Sequence, residues 1–233
     1  MSIPPVKALL FMKGHSERVP NKNMRLFCGR PLFHWIINSL IQSKYVKEII
    51  VNTDSERIAE EAEKHFDVTI HMRPDYLLNI QCDEAYQIMA YDLTQTDGEY
   101  FLQSHSTNPL LRSKTINQAI ETFFDKRMQY DSLFSVTASQ KRYYWPDGTP
   151  INHEPHKLIK TQELPFVYEE NSNIYIFSRT VFNEHENRIG SDPLLFPIDR
   201  IEAIDIDCEH DFTIAEMLMK KCNSEGWHSL RTL

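Results

Sequence analysis

Short apolar runs alternate with stretches of helical period along most of the chain. Val6 to Met12 is almost continuously apolar, the pattern of a strand buried on both faces. A polar loop follows, and Leu32, Trp35, Ile36, Ser39 and Leu40 then fall on a helical period, with Pro31 as a first-turn residue. Val46 to Asn52 reads as a second strand. Asp54 or Ser55 is placed to cap a Glu-rich helix running to about His65. Val68 to His71 is a third, short strand. Glu84 to Leu93 reads as a helix, Tyr100 to Gln103 as a strand, Ser113 to Asp125 as a helix and Ser132 to Val136 as a strand. This β–α rhythm predicts right-handed crossovers and a Rossmann-like, doubly wound, mainly parallel α/β sheet.

The rhythm breaks between Ser139 and Val167, where four prolines accompany the turn signal Asp147-Gly148. A connection of that length is a lid, a binding loop, a dimerisation arm or a plain surface excursion. Beyond it come a strand from Asn173 to Phe177, a short helix from about Thr180, a strand from Ala203 to Asp207 and a last helix from Glu209 to Cys222. The organisation expected is one domain over 1–233 with an arm or lid, 139–167, protruding from it.

Composition narrows the field. A hydrophobic content of 41% suits a packed globule, and a net charge of −8 argues against non-specific nucleic-acid binding. No apolar run approaches membrane-spanning length, and Met1 to Phe11 lacks the make-up of a signal peptide, so a cytoplasmic location is expected. Cys28, Cys82, Cys208 and Cys222 form no CxxC pair and read as reduced thiols.

Against the acidic background, Lys13, Arg18, Lys22, Arg25 and Arg30 cluster after the first strand. In open α/β sheets that loop is a frequent phosphate site. Gly14 permits close backbone approach and Ser16 offers a hydroxyl, and a triphosphate needs several such converging donors. Neither a Walker loop nor a dinucleotide fingerprint is present. A solvated basic loop fits the spacing equally. In Asp205-Ile206-Asp207, a period of two puts both carboxylates on one side. The pair either holds Mg²⁺ beside phosphates, or divides into a helix cap (Asp207) and a solvated Asp205.

The run Lys13-Gly14-His15-Ser16-Glu17-Arg18-Val19-Pro20-Asn21-Lys22-Asn23, followed by Gly29-Arg30-Pro31-Leu32, resembles the N-terminal signature of the acylneuraminate cytidylyltransferase (CMP-sialic acid synthetase) family. Asn23 after Lys22 matches that branch, where the related octulosonate enzymes usually carry Pro. Lys13 stands where many members have Arg. The resemblance implies that Lys13, Ser16, Arg18, Lys22 and Asn23 hold CTP, with Arg18, Lys22 and Asp207 catalytic. It implies Mg²⁺ on Asp205 and Asp207. Arg73 matches an Arg near the cytosine, and Gln103, Asn171 and Tyr175 match positions facing the sugar.

Three places depart from the family pattern. The run after Gln103 is two residues longer, Thr161 replaces an Arg that reaches the neighbouring subunit's sugar, and Glu169-Glu170 stands where Arg-Pro is frequent. His105, in the longer run, reads as a structural loop histidine sooner than a general base. The implied reaction joins CTP to a nonulosonic sugar acid, giving CMP-sugar and pyrophosphate, in a homodimer paired through the arm. The rivals are a cytidylyltransferase for another 2-keto-3-deoxy sugar acid of octulosonate type, a nucleotide-binding homologue without turnover, and a nucleotide-sugar-binding glycosyltransferase fold.

Overall fold

The computed structural model describes residues 3–78, 80 and 86–224; Cys82 and the expected helix start at Glu84 lie outside them. In chain order the elements begin with β1 (Val6–Met12), the short strands β2 (Leu26–Phe27) and β3 (Arg30–Pro31), α1 (Phe33–Ile41), β4 (Val46–Thr53), α2 (Glu56–His65) and β5 (Thr69–Met72). They continue with α3 (Tyr86–Gln95), β6 (Tyr100–His105), α4 (Ser113–Lys126), β7 (Ser132–Ser139), β8 (Val167–Ser178), α5 (Arg179–His185), β9 (Pro193–Pro197) and α6 (Glu209–Ser224). One seven-stranded sheet has the order β5-β4-β1-β6-β8-β7-β9. β8 runs antiparallel to both β6 and β7, and the other pairings are parallel. No described helix is long and apolar enough to cross a membrane.

Alternation along β1 sends Ala8, Leu10 and Met12 to one face of the sheet and Leu9 to the other. The first face meets Ile36 and Leu40 of α1, Ile58 and Ala62 of α2, and Ile116 and Ile120 of α4. The second meets Met89 and Leu93 of α3 and Phe182 of α5. With both faces covered, the near-continuous apolar run of β1 is accounted for.

This layering corrects the expectation of uniformly right-handed crossovers. The connection β6–α4–β7 steps away from β1 in the direction opposite to β1–α1–β4, yet α4 packs on the same face as α1. The two crossovers are therefore of opposite hand, an exception to a strong rule. Polar contacts hold α4 there. Ser39 Oγ donates to Leu111 O at 2.6 Å, and Asn117 Oδ1 accepts from Ser43 Oγ at 2.7 Å and Lys44 N at 3.0 Å.

Two further readings are corrected. Pro31 is not helical: β2 and β3 form a hairpin whose turn, Cys28 and Gly29, has φ of 48° and 83°, as a tight two-residue turn requires. Ala203 to Asp207 is not a strand. Ala203 closes a turn, its N–H on Asp199 O at 2.9 Å, and 204–207 lies outside any ladder, its only described ladder-like bond running from Ile206 N to Thr107 O at 3.0 Å. Period-two alternation survives without a ladder, because Ile206 is buried while Asp205 and Asp207 are not. Ile206 joins Phe27, Trp35, Phe212 and Met219 in a separate apolar cluster that clamps the hairpin to α6.

The excursion lies between β7 and β8. Asn152 Nδ2 donates to Lys141 O (2.8 Å) and Pro165 O (3.0 Å), closing its base. Its surface is apolar for an exposed segment: Trp145, Phe166 and Leu158 stand out, the last 96% exposed.

Candidate functional site

Strand order reverses between β1 and β6, so a crevice opens beyond their carboxyl ends. The loop after β1 crosses it. Gly14 N donates to Asp54 Oδ1 at 2.6 Å, and a Cβ on Gly14 would lie 2.7 Å from Ser55 Cβ. No side chain fits that approach, which is the physical reason for glycine here. Asp54 thus braces the loop, while Ser55 caps α2 by accepting from Ile58 N. Asn23 is buried; its amide donates to Lys13 O at 2.9 Å and its carbonyl accepts from Ser106 Oγ at 2.7 Å. It staples the loop to the residue after β6. Lys13 and Arg18 remain exposed, and Ser16 is half-buried.

The second carboxylate-bearing segment arrives beside this loop because the hairpin–α6 cluster brings it there. Arg18 Nη2 lies 2.8 Å from Asp207 Oδ1. Lys22 Nζ donates to Ile206 O at 2.5 Å and sits 3.8 Å from Asp207 Oδ1. Burial lowers the proton affinity of Lys22, and Asp205 and Asp207 oppose that shift. Asp207 is not the cap of α6. Its carboxylate makes no described bond to an α6 N–H; instead Asp211 Oδ2, in the first turn, reaches back to accept from Asp207 N at 3.1 Å and Cys208 N at 2.8 Å. Asp205 Oδ1 is buried without a hydrogen-bond partner, and burial pushes its carboxyl above the usual range against a hydrogen bond from Thr107. An orphaned carboxylate oxygen next to a second carboxylate, with cations nearby, is a donor set that fits a hard divalent ion together with phosphate oxygens.

Arg73 is buried rather than a surface turn. Its Nε donates to Asn52 Oδ1 at 2.9 Å, and Asn52 Nδ2 donates to Asp92 Oδ1 at 2.7 Å, an oxygen that also lies 2.8 Å from His71 Nδ1. This network fixes the guanidinium beneath the ends of β1 and β4.

On the other flank a cleft of about 360 Å³ is lined by Phe11, Met89, Gln103, His105, Phe182 and Arg188, among others. Arg188 is the residue that sequence reasoning missed. Its Nη1 donates to Gln103 Oε1 at 2.5 Å, and its guanidinium carbon lies 3.4 Å from the Tyr175 ring centroid. It sits in an irregular stretch after α5 with no motif around it, so the sequence offered only a lone Arg in a turn. Burial, Arg188 and Lys22 together depress His105 to about 4.

The remaining two expected sugar contacts are placed differently. Tyr175 is buried; its hydroxyl donates to Glu170 and lies 3.1 Å from Ser172 Oγ. It reaches the cleft only through Arg188 stacked on it. Asn171 is engaged with β7, accepting from Ser135 Oγ at 2.6 Å and donating to Thr137 Oγ1 at 3.1 Å. There the β7–β8 register shifts and Ser172 adopts φ 57°, so Asn171 pins a bulge.

Comparison with known proteins gives a consistent picture. The sequence profile described as cytidylyltransferase matches residues 8–220. "Post-translational flagellin modification protein B" of Campylobacter coli is 30% identical over 227 residues, covering 92% of this chain and 94% of that protein. "CMP-N,N'-diacetyllegionaminic acid synthase" of Legionella pneumophila is 26% identical, covering 92% and 96% respectively. The solved structure of a CMP:2-keto-3-deoxy-manno-octonic acid synthetase complexed with CTP superposes with a TM-score of 0.69 at 12% identity, over 93% of this chain and 99% of that one. That last likeness speaks to the fold alone.

Proposed function

Because this chain belongs to the cytidylyltransferase family, we propose that it transfers the cytidylyl group of CTP to the anomeric hydroxyl of a nonulosonic, sialic-acid-like sugar acid. The observation that carries this reading is the meeting of Arg18 and Lys22 with Asp207 at the switch point of the sheet. Cations for a triphosphate and carboxylates for a metal ion share one rim.

The sugar hydroxyl attacks the α-phosphorus, the new P–O bond forms as the bond to the bridging β-phosphate oxygen breaks, pyrophosphate leaves, and the hydroxyl proton passes to solvent. Lys13, Arg18 and Lys22 neutralise the phosphate oxygens, and Ser16 adds a hydroxyl donor. Asn23 holds the loop at the end of β6, and Arg73 supports the base from below β1 and β4. Asp205 and Asp207 would hold Mg²⁺, which when bound offsets phosphate charge and lowers the pKa of a coordinated hydroxyl. Gln103 and Arg188 receive the sugar acid in the adjoining cleft, where the guanidinium suits a carboxylate and Phe11, Met89 and Phe182 suit its apolar parts. Catalysis is then positioning and electrostatic stabilisation, with no side chain required as general base.

The exposed Trp145, Leu158 and Phe166 support pairing of two copies through the arm, in keeping with a homodimer. Sedimentation of the protein and of Leu158→Glu tests this, a monomeric wild type arguing against it.

Pyrophosphate release measured with CTP and a panel of sugar acids tests the activity. Turnover with a nonulosonic acid is expected. Turnover confined to an octulosonate-type acid, or CTP binding without turnover, overturns it.

A further inference from the structure

On the face of the sheet away from α3 and α5, α1 and α2 bring together His34, Glu61 and His65. One candidate ligand atom from each lies within 4.8 Å of the others. His34 is 3% exposed, whereas the Glu61 and His65 side chains are 25% and 30% exposed, so the cluster is walled on one side and open to solvent on the other. Glu61 Oε1 is 3.3 Å from His34 Nε2 and 3.2 Å from His65 Nδ1. A tetrahedral ion with bonds of ~2.05 Å sets its ligands about 3.3 Å apart. Both separations from Glu61 Oε1 match that edge.

The contact between His34 and Glu61 is not a hydrogen bond, for Nε2 of His34 is buried and has no partner in direction as well as distance. Buried ring nitrogens are rarely left so. From this geometry we infer that His34, Glu61 and His65 form a binding site for a zinc-class divalent cation, separate from Asp205 and Asp207, with water completing the coordination. Two imidazoles and one carboxylate favour such an ion over Mg²⁺, which prefers oxygen donors.

Electrostatics is compatible. Burial, His65 and Arg30 hold His34 unprotonated, so its nitrogen presents a lone pair at neutral pH. His65 Nδ1 also lies 3.0 Å from the Glu61 carbonyl oxygen one turn back, so the helix bond and the ion compete for that nitrogen. The ion would tie α1 to α2, whose first turn is capped by Ser55, the residue against Gly14 of the β1 loop. This inference is independent of the reaction proposed above.

The test uses the full chain stripped with a chelator and titrated with Zn²⁺ alone, and then with Co²⁺ as a spectroscopic probe. Expected are one zinc per chain, a rise in melting temperature with Zn²⁺, a tetrahedral Co²⁺ absorption band, and no displacement by millimolar Mg²⁺. Both His65→Ala and Glu61→Gln, at partly exposed positions that tolerate change, should weaken zinc binding at least roughly tenfold. Asp205→Asn should leave it intact, and Mg²⁺-dependent turnover should match wild type in His65→Ala. Absence of stoichiometric zinc in the wild type, or wild-type zinc affinity retained in His65→Ala or Glu61→Gln, overturns the site.

Discussion

The Arg18 guanidinium lies 2.8 Å from the Asp207 carboxylate, so the loop after the first strand and the segment before the last helix touch across the crevice. The pair is largely exposed on the Arg18 side, at 67%, so it adds little to stability. Its value is geometric: it places a carboxylate at the edge of a cationic loop. Asp207→Ala should cut kcat/KM for pyrophosphate release by about 10²–10³, the scale seen when one preorganised electrostatic group is lost. The fold should survive, because the Asp207 carboxylate makes no described bond to the backbone of α6 and the reach-back bonds of Asp211 remain. Circular dichroism with unchanged melting and a collapsed rate is the expected outcome; an unchanged rate removes Asp207 from the mechanism.

Lys22 should matter more than Arg18. It is the more buried of the two cations and is held by the Ile206 carbonyl at 2.5 Å, whereas Arg18 is exposed and pairs with Asp207 at the solvent edge. Lys22→Met is expected to lower kcat strongly, and Arg18→Ala chiefly to raise the CTP KM by about tenfold, as for loss of a solvent-exposed phosphate contact. Steady-state kinetics in CTP at saturating sugar separates the two.

Gly14 offers a test by rescue. A methyl there would sit 2.7 Å from Ser55 Cβ, closer than packed carbons come, so Gly14→Ala must push the loop off the α2 terminus. Weaker CTP binding follows. Removing the opposing carbon restores space, and glycine at a helix N-cap costs only a few tenths of a kcal/mol. CTP affinity by calorimetry should therefore fall in Gly14→Ala and recover in Gly14→Ala/Ser55→Gly. Failure of the double variant to recover sinks the steric account.

Much of this was legible in the sequence because its signals were local. The apolar run of β1, the helical period of α4 and the basic loop are each written within one short run of chain. The placement of Asp205 and Asp207 was also readable, since alternation holds in any extended backbone. The absent strand at 203–207 was not, because a ladder needs a neighbour that periodicity cannot name. Nor was the hand of β6–α4–β7, where Ser39 meets Leu111 and Ser43 meets Asn117 from distant parts of the chain. Arg188 went unseen for the same reason: its meaning comes from Gln103, 85 residues away. Asn171 shows the converse, a motif position whose side chain is taken up by the β7–β8 bulge.

His105 fixes a pH expectation. Its folded value of about 4 lies below the ordinary 6.5, so the stability it confers is complete above about pH 6.5 and is lost as pH falls toward 4. At neutral pH it is already neutral. The kcat profile should show no His105 inflection between about pH 6 and 8, and His105→Gln should lessen the loss of melting temperature between pH 6.5 and 4. His34, depressed to about 4 by burial, contributes in the same window, so the variant removes only part of that slope. A bell whose limb near pH 7 vanishes in His105→Gln contradicts this and makes it a general base.

Arg188 and Asn171 divide binding from scaffolding. Arg188 shares the cleft with Gln103, bonds to it and sits over the Tyr175 ring, so its guanidinium is presented rather than mobile. A charge-assisted bond to a carboxylate contributes about 1.5–3 kcal/mol, which is roughly 10–150-fold in binding. Arg188→Met should raise the sugar-acid KM by that order and leave the CTP KM unchanged, and Arg188→Lys should recover only part because the fork is lost. Asn171→Ala should do the reverse. It strips Ser135 and Thr137 of a partner in the bulge, costing about 1–3 kcal/mol of stability, while the sugar KM stays near wild type. Chemical denaturation and sugar-dependent kinetics on the same preparations decide it. A raised sugar KM in a fully stable Asn171→Ala would return that residue to the sugar site and take the cleft's recognition away from Arg188 alone.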